Sequence, residues 1–342
     1  MKLIVQIPCY NEEKTLPDVV SAIPRSIPGI SKVEIQIIDD GSTDGTVETA
    51  RACGVDHIVQ NGRNKGLARS FQHGIESALS LGADIIVNTD GDNQYSGSSI
   101  PDLVEPIIRK QADIVVGDRK PGDNPEFSWL KRQLQKLGTR VVRNLSQVDV
   151  DDAVSGFRAY SREAAYTINV MTRFSYTTET LIHAGQHGLS VVSVPVKTNP
   201  TTRPSRLAGS TFRFLKKQIV TILRSYFMYR SLNAFLWAGV LMIGIGLVPV
   251  LRFLFFYAIG DGDGRVQSLV LGSMFLLAGY ITVVIAFLSD ALATNRRLTE
   301  AVLERVRRLE QPPPQVDTTD LRETLQIMRR SDDKAYRARS SK

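Results

Sequence analysis

Cysteine is scarce. Only Cys9 and Cys53 occur among 342 residues. They have no metal-ligand spacing, which excludes a disulfide framework and a thiolate zinc cluster. They read as free, buried thiols in a reducing compartment. Histidine is nearly as thin, at four residues, and His57 and His73 have no companions along the chain. There is no Gly-x-Ser-x-Gly elbow and no Walker loop. The sequence signatures of an α/β-hydrolase nucleophile and of a P-loop nucleotidase are therefore missing. The N-terminus, MKLIVQIPCYNEE, has too short an apolar run for a signal peptide, because Pro8, Asn11, Glu12 and Glu13 interrupt it. Acid is absent from residues 201–230, which hold Arg203, Arg206, Arg213, Lys216, Lys217, Arg224 and Arg230. With a formal net charge of +7, that block accounts for much of the basic surplus. It stands beside apolar sequence and reads as facing anionic headgroups. No nucleic-acid-binding motif accompanies it, so nucleic acid is not an expected partner.

What is present falls into two halves. Residues 1–118 alternate short apolar runs (KLIVQIP, VEIQIIDD, DHIVQN, DIIVNTD, DIVVGDR) with stretches of helical spacing (TLPDVVSAI, DGTVETARACG, GLARSFQHGIESALSLG, IPDLVEPIIRKQ). Strand and helix in alternation predict an α/β fold, a mostly parallel central sheet with helices on both faces. Such sheets bind ligands at the carboxyl ends of their strands. Four runs end in suitable residues: Asn11 and Glu12, Asp39 and Asp40, Asp90 and Asp92, Asp118 and Arg119. Residues 126–200 are less regular. SWLKRQLQKLGTRVVRNLS reads as a basic helix, DDAVSGFRAYS as a polar loop entering a strand, TTETLIHAGQHG as a helix and LSVVSVPV as a strand.

The second half is apolar. Residues 211–232 read as an amphipathic helix in a membrane interface. Residues 233–259 and 268–293 each suffice to cross about 30 Å of hydrocarbon, which takes about 20 residues. Arg252 falls near the far end of the first span, where its head can snorkel. Only GDGDGRVQ joins the spans, so they form a tight hairpin. Basic residues crowd both outer flanks, the second with Arg296, Arg297, Arg305, Arg307 and Arg308. By the positive-inside rule the catalytic half and both termini are cytoplasmic, at the plasma membrane if the source is bacterial. The expected division is 1–210 catalytic, 211–232 juxtamembrane, 233–293 hairpin, and 294–342 a charged helix followed by a proline-rich, disordered tail. A short hairpin can pack with copies of itself, which leaves a homo-oligomer open.

Asp-Gly-Asp occurs twice, at 90–92 and at 261–263. The first ends an apolar run, and Gly91 lets both carboxylates turn toward one point. Hard oxygen ligands of this kind suit Mg2+ or Mn2+, with Gln94 as a further oxygen. The second joins the two spans and reads as a polar turn on the non-cytoplasmic side. Asp39 and Asp40 can accept hydrogen bonds from a base or ribose, and DGSTDGT is also a turn with a helix cap. Lys65 and Arg69, beside Gly66, can meet a phosphate or open a solvated helix. Glu179, His183 and His187 share one helical face. A zinc site there is conceivable, but the His-Glu-x-x-His order is missing and an ordinary helix is the better reading.

The set IPCYNEE, IIDDGSTDGT, NKGLARSFQHGI, NTDGDNQY, VVGDR and DDAVSGFRAYS resembles glycosyltransferase family 2, in the branch similar to dolichol-phosphate mannose synthase and bacterial polyprenyl-phosphate glycosyltransferases. The resemblance covers residues 1 to about 210. It implies a GT-A fold, an NDP-sugar donor (UDP- or GDP-linked), a divalent metal and a polyprenyl phosphate acceptor at the lipid bilayer. By position, Pro8, Tyr10 and Glu12 line the nucleotide pocket with Asp39 near the base. Asn11, Asp40, Lys65 and Gly91 complete the candidate nucleotide-sugar set. Asp90, Asp92 and Gln94 hold metal and diphosphate. Arg119 stands where the family has the Arg of Gly-Ser-Arg. Asp152, Ser155, Gly156, Phe157 and Arg158 match the Asp-x-x-Ser-Gly-Phe-Arg loop near the acceptor. TTRPSRL departs from the family's Arg-x-x-Gly-x-Ser-Lys, and its phosphate grip falls to Arg203 and Arg206.

The chemistry is consistent with this set. A lipid phosphate is ionised near neutral pH, since its second pKa is about 6. It needs alignment and a neutralised leaving group more than a base. Arg119, Arg158, Arg203 and Arg206 can grip phosphates. Asp152 can position a ligand, tune an arginine or act as a base. In-line attack predicts inversion. Two other readings compete: a processive polysaccharide synthase of the same fold, and a non-catalytic membrane scaffold. The synthase reading lacks a Gln-x-x-Arg-Trp segment and further spans. Intact Asp90, Asp92 and Arg158 stand against the scaffold.

Overall fold

A computed structural model describes residues 1–120, 138–140, 142–144, 146–170, 176–200, 231–260 and 266–310. Residues 211–230, Arg203, Arg206 and the second Asp-Gly-Asp lie outside them, as do most of SWLKRQLQKLGTRVVRNLS and the chain after Glu310.

Seven strands form one sheet in the order β3-β2-β1-β4-β6-β5-β7. They are β1 (Lys2–Cys9), β2 (Lys32–Asp39), β3 (His57–Gln60), β4 (Ile85–Asn88), β5 (Ile114–Asp118), β6 (Arg158–Ser161) and β7 (Val191–Pro195). All neighbouring pairs are parallel except those of β6, which runs antiparallel to both β4 and β5. The five apolar runs of the first 118 residues are β1 to β5. The four helical stretches between them are α1 (Leu16–Ser21), α2 (Thr46–Ala52), α3 (Leu67–Ser80) and α4 (Ile100–Ile108). α5 (Arg162–Thr167) and α6 (Tyr176–Gln186) follow β6.

β1 is buried along nearly its whole length because helices cover both faces of the sheet. Its side chains alternate between two cores. Leu3, Val5 and Ile7 pack with residues of α1 and α4 such as Leu16, Val19 and Leu103. Ile4 packs on the other face with Phe71, Ile75 and Leu181 of α3 and α6.

The reversed β6 places the site. Arg158, its first residue, pairs with Asn88 at the end of β4 and with Val116 near the end of β5. The loop that enters β6 therefore emerges beside the loops that leave the parallel strands.

Two long helices follow, α7 (Ser231–Ala258) and α8 (Val266–Glu310). Both are long and apolar enough to cross a membrane, with mean hydropathy 2.3 over their best windows. Little of those windows is buried, and Trp237 is 75% exposed. That burial is unlike the core helix of a water-soluble fold. Glycines set the closeness of the pair: a Cβ on Gly246 would lie 2.9 Å from the Gly272 carbonyl oxygen, and one on Gly279 would lie 2.9 Å from that of Gly239. Small residues at such crossings let helix backbones approach.

The charged helix expected from residue 294 continues the second apolar helix without interruption. α8 is one helix of 45 residues, about 68 Å long at 1.5 Å per residue. Its charged end docks on the first domain. Arg307 Nη1 donates to the Ile168 carbonyl at 3.0 Å, and Nη2 reaches Glu76 Oε1 at 3.0 Å. Arg308 pairs with Glu163 and lies over the Tyr166 ring.

Candidate active site

Four loops converge at the carboxyl edge of the sheet. The loop after β1 holds Pro8 to Glu12. Asn11 adopts a left-handed φ of 56°. Its N–H donates to Ser42 Oγ (2.9 Å), and its Oδ1 accepts from the Thr43 N–H (2.8 Å). Asn11 thus ties this loop to the one after β2. Glu12 is buried, and Thr46 Oγ1 accepts from its N–H at 2.9 Å. Thr15 Oγ1 lies 2.7 Å from the Gly91 carbonyl, to which it donates, and 3.0 Å from Glu12 Oε2. Tyr10 stands out at 39% exposed, as a ring offered to a ligand would.

After β2 the two adjacent aspartates divide their work. Asp39 is buried, and its Oδ1 accepts from the Ser42 N–H at 3.1 Å. Asp40 is engaged in organising the chain. Its Oδ1 accepts from Asn61 Nδ2 (3.0 Å) and the Lys65 N–H (2.9 Å), and its Oδ2 accepts from the Gly66 N–H (2.8 Å). These three donors hold its carboxylate against the loop that carries Lys65. His73 also joins that cluster, its Nδ1 2.9 Å from Asn61 Oδ1, and His57 Nε2 pairs with Glu34 at 2.7 Å. Both histidines therefore have structural companions that their sequence neighbours do not reveal.

After β4, Asp90 and Asp92 flank Gly91, with Asp92 Oδ1 accepting from the Gln94 N–H at 3.1 Å. A Cβ on Gly91 would meet Cys9 Sγ at 3.1 Å and Glu12 Cγ at 3.2 Å, so a larger residue there would crowd the loop after β1. Burial, then repulsion from Asp92, pushes the Asp90 carboxyl up to about 7, with Glu12 adding and Arg119 opposing. Burial also raises the Cys9 thiol well above its usual range, so this thiol is inert. Cys53 is half-buried rather than buried.

The loop before β6 completes the edge. Asp152 is fully buried and grips Arg119 in a fork, Nε to Oδ2 at 2.6 Å and Nη2 to Oδ1 at 3.1 Å. Gly156 abuts Asp90: a Cβ there would fall 3.2 Å from Asp90 Oδ2 and 2.6 Å from the Tyr176 hydroxyl. A buried polar chain holds that junction. Gln6 Nε2 donates to Asn88 Oδ1, and Asn88 Nδ2 donates to both the Gly156 carbonyl and the Tyr176 hydroxyl, each at 2.9 Å. Ser155 Oγ is buried without a hydrogen bond among the described residues.

Arg158, which the sequence offers as a phosphate grip, is fully buried. Nε donates to the Ser155 carbonyl, Nη1 to the Thr177 carbonyl and Thr180 Oγ1, and Nη2 to the Ala153 carbonyl, at 2.7–2.8 Å. Its guanidinium supports the loop from beneath and welds it to α6. The sequence does not mark Asn88, Tyr176 and Thr15 as site residues. Asn88 alone leaves a trace, a polar residue inside an otherwise apolar strand.

The edge thus brings together a carboxylate pair short of positive charge, an arginine held by a buried aspartate, and a glycine loop in contact with both. The segment leading to Arg203 starts alongside. Asn199 Nδ2 donates to the Asn93 carbonyl at 3.0 Å, and Tyr95 pairs with Thr198.

Comparison with known proteins follows the same outline. The model of "Glycosyl transferase family 2" matches residues 4–168. The chain is 28% identical over 224 residues to the polyprenol monophosphomannose synthase of Mycolicibacterium smegmatis, covering 62% of this chain and 83% of that one. It is 30% identical over 215 residues to the UDP-N-acetylglucosamine–dolichyl-phosphate N-acetylglucosaminyltransferase of Methanococcus voltae, covering 56% and 83%. In fold it is similar to glucosyl-3-phosphoglycerate synthase of Mycobacterium tuberculosis, crystallised with Mn2+, UDP-glucose and phosphoglyceric acid. That match has a TM-score of 0.52 and 21% identity, covering 66% and 79%.

Proposed function

The chain belongs to glycosyltransferase family 2, and from that premise we propose that it moves a sugar from an NDP-sugar to a polyprenyl phosphate, with inversion at the anomeric carbon. The observation that carries the reading is the junction of Asp90 with Gly156. Donor-side carboxylates and the acceptor-side loop meet at one point, on a domain joined to an apolar hairpin. Two relatives, one named a polyprenol monophosphomannose synthase and the other a dolichyl-phosphate N-acetylglucosaminyltransferase, support the acceptor class.

A divalent cation fits the donor set. Asp90 and Asp92 are hard oxygen ligands. The raised Asp90 carboxyl marks a site where burial and the neighbouring Asp92 outweigh the opposing field of Arg119, so added positive charge would be welcome there. Asp90 and Asp92 would hold Mg2+ or Mn2+, with Gln94 beside them. The bound ion would neutralise the leaving diphosphate. The rest falls to the chain's own groups. Tyr10 and Asp39 face the nucleotide. Arg119, oriented by Asp152, meets phosphate oxygens. Ser155 and Gly156 shape the floor under the acceptor, and Arg203 and Arg206 remain candidates for its phosphate.

Cation binding must displace the proton that Asp90 holds below about pH 7. Affinity for Mn2+ should therefore fall as pH falls, by up to about tenfold per unit. Titration of Mn2+ at pH 8 and pH 6 checks this, and equal affinities would contradict it.

The docked end of α8 supports a topology in which the catalytic domain and both outer helix ends share the cytoplasmic side. Protease added to sealed inverted vesicles should then digest the catalytic domain. Protection there would overturn the orientation.

Purified protein with labelled UDP- and GDP-sugars tests the function itself. Polyprenyl phosphate should be glycosylated in preference to phosphoglycerate. The reverse preference would replace the lipid acceptor with a soluble one.

A further inference from the structure

α6 and α8 meet at a cluster outside the active site. His183 on α6 and His187, in the turn one residue past its end, stack with ring centroids 4.3 Å apart. Glu300 of α8 closes the third side. One ligand atom from each of the three residues lies within 4.8 Å of the others.

Each donor is prepared differently. His183 is 1% exposed, and neither ring nitrogen makes a hydrogen bond among the described residues. Its Nε2 lies 3.5 Å from Glu300 Oε2, close enough for attraction but outside bonding geometry. A buried imidazole whose Nδ1 is unbonded and whose Nε2 has only this long ion-pair contact among the described residues is costly unless something binds it. The Nδ1 of His187 lies 2.9 Å from the His183 carbonyl. That contact places the proton on Nδ1 and leaves Nε2 as a lone pair, the arrangement that outer hydrogen bonds impose on metal-binding histidines. Arg296 holds Glu300 Oε1 at 2.7 Å, which leaves Oε2 toward the histidines. His187 is exposed and gives an entry path.

We propose that His183, His187 and Glu300 bind one divalent transition-metal ion of the zinc class, joining α8 to α6. Two imidazoles and one carboxylate are a known zinc donor set with a fourth position open to water. Glu179 shares the face in sequence, but the carboxylate that completes the cluster is Glu300, far along the chain, which no local motif could reveal. The position gives the ion a consequence. α6 also carries Tyr176, Thr177 and Thr180, which hold Gly156 and Arg158. A metal at its other end would fix that helix against the extension of the membrane hairpin.

The test uses the full chain in detergent, stripped with a chelator, in an Asp92→Ala background that removes the nucleotide-side carboxylate. Co2+ alone is titrated by its visible absorption. One equivalent should bind with a tetrahedral spectrum, and Zn2+ should displace it. His187→Gln, at an exposed position that folding does not require, should weaken binding at least about 100-fold. It should also abolish the rise in melting temperature that Zn2+ gives the parent. Glu300→Gln should do the same. Absence of saturable binding would overturn the site, and so would affinity unchanged in His187→Gln. Either result would leave His183 and Glu300 as a simple ion pair. Neither readout depends on glycosyl transfer, so failure here is distinct from failure of the proposed function.

Discussion

Asp92→Ala is expected to lower turnover with Mg2+ or Mn2+ by at least about 1,000-fold, since metal stabilisation of a leaving group is worth several kcal/mol. The protein should still fold and remain in the membrane. Asp92 is a loop residue whose side chain accepts from the Gln94 N–H. Removing it also takes away the repulsion that helps to hold the Asp90 carboxyl near 7, so that carboxyl should titrate lower in the variant. Steady-state rates at saturating Mn2+, with circular dichroism and membrane fractionation as controls, give the answer. Unchanged activity would remove the carboxylate pair from the reaction.

Asp152→Asn should be nearly as severe, for a different reason. The change keeps the shape and removes the charge that Arg119 is forked against. The Arg119 side chain is only 9% exposed. Taking one partner from a buried pair costs about 3–5 kcal/mol, because the other is left uncompensated. Asp90 offsets part of that, since its field and that of Arg119 oppose each other. A fall of about 100-fold or more in turnover is expected, with a lowered melting temperature. The pH profile separates the two roles open to Asp152. A positioning residue leaves the shape of the residual profile intact, whereas loss of a general base removes its acidic limb. The geometry favours positioning, because both carboxylate oxygens are already committed to Arg119.

The sheet was legible in the sequence because its central parallel strands are covered on both faces, so β1 and β4 read as short, mostly apolar runs. The positions of Asp39 and Asp90 followed, since both residues end or follow such runs. The role of Arg158 was not legible. An arginine after Ser-Gly-Phe reads as a free cation. Only the fold shows four main-chain and side-chain oxygens brought around it from the loop and from α6. The partners of Asp40 were hidden in the same way, because its donors come from residues 61–66 and not from its own turn. That α8 runs on through Ala293 was hidden by composition, since hydropathy changes sharply there while helix propensity does not.

The most direct test is the composition of the lipid product. Detergent-purified protein is incubated with a competent NDP-sugar, a short polyprenyl phosphate and Mn2+, and the extracted lipid is weighed by mass spectrometry. The expected product carries one sugar and one phosphorus per polyprenol, with the anomeric configuration opposite to the donor's, and is missing with Asp92→Ala. A lipid diphosphate, a polymer, or no lipid-linked sugar from any UDP- or GDP-donor would contradict the assignment.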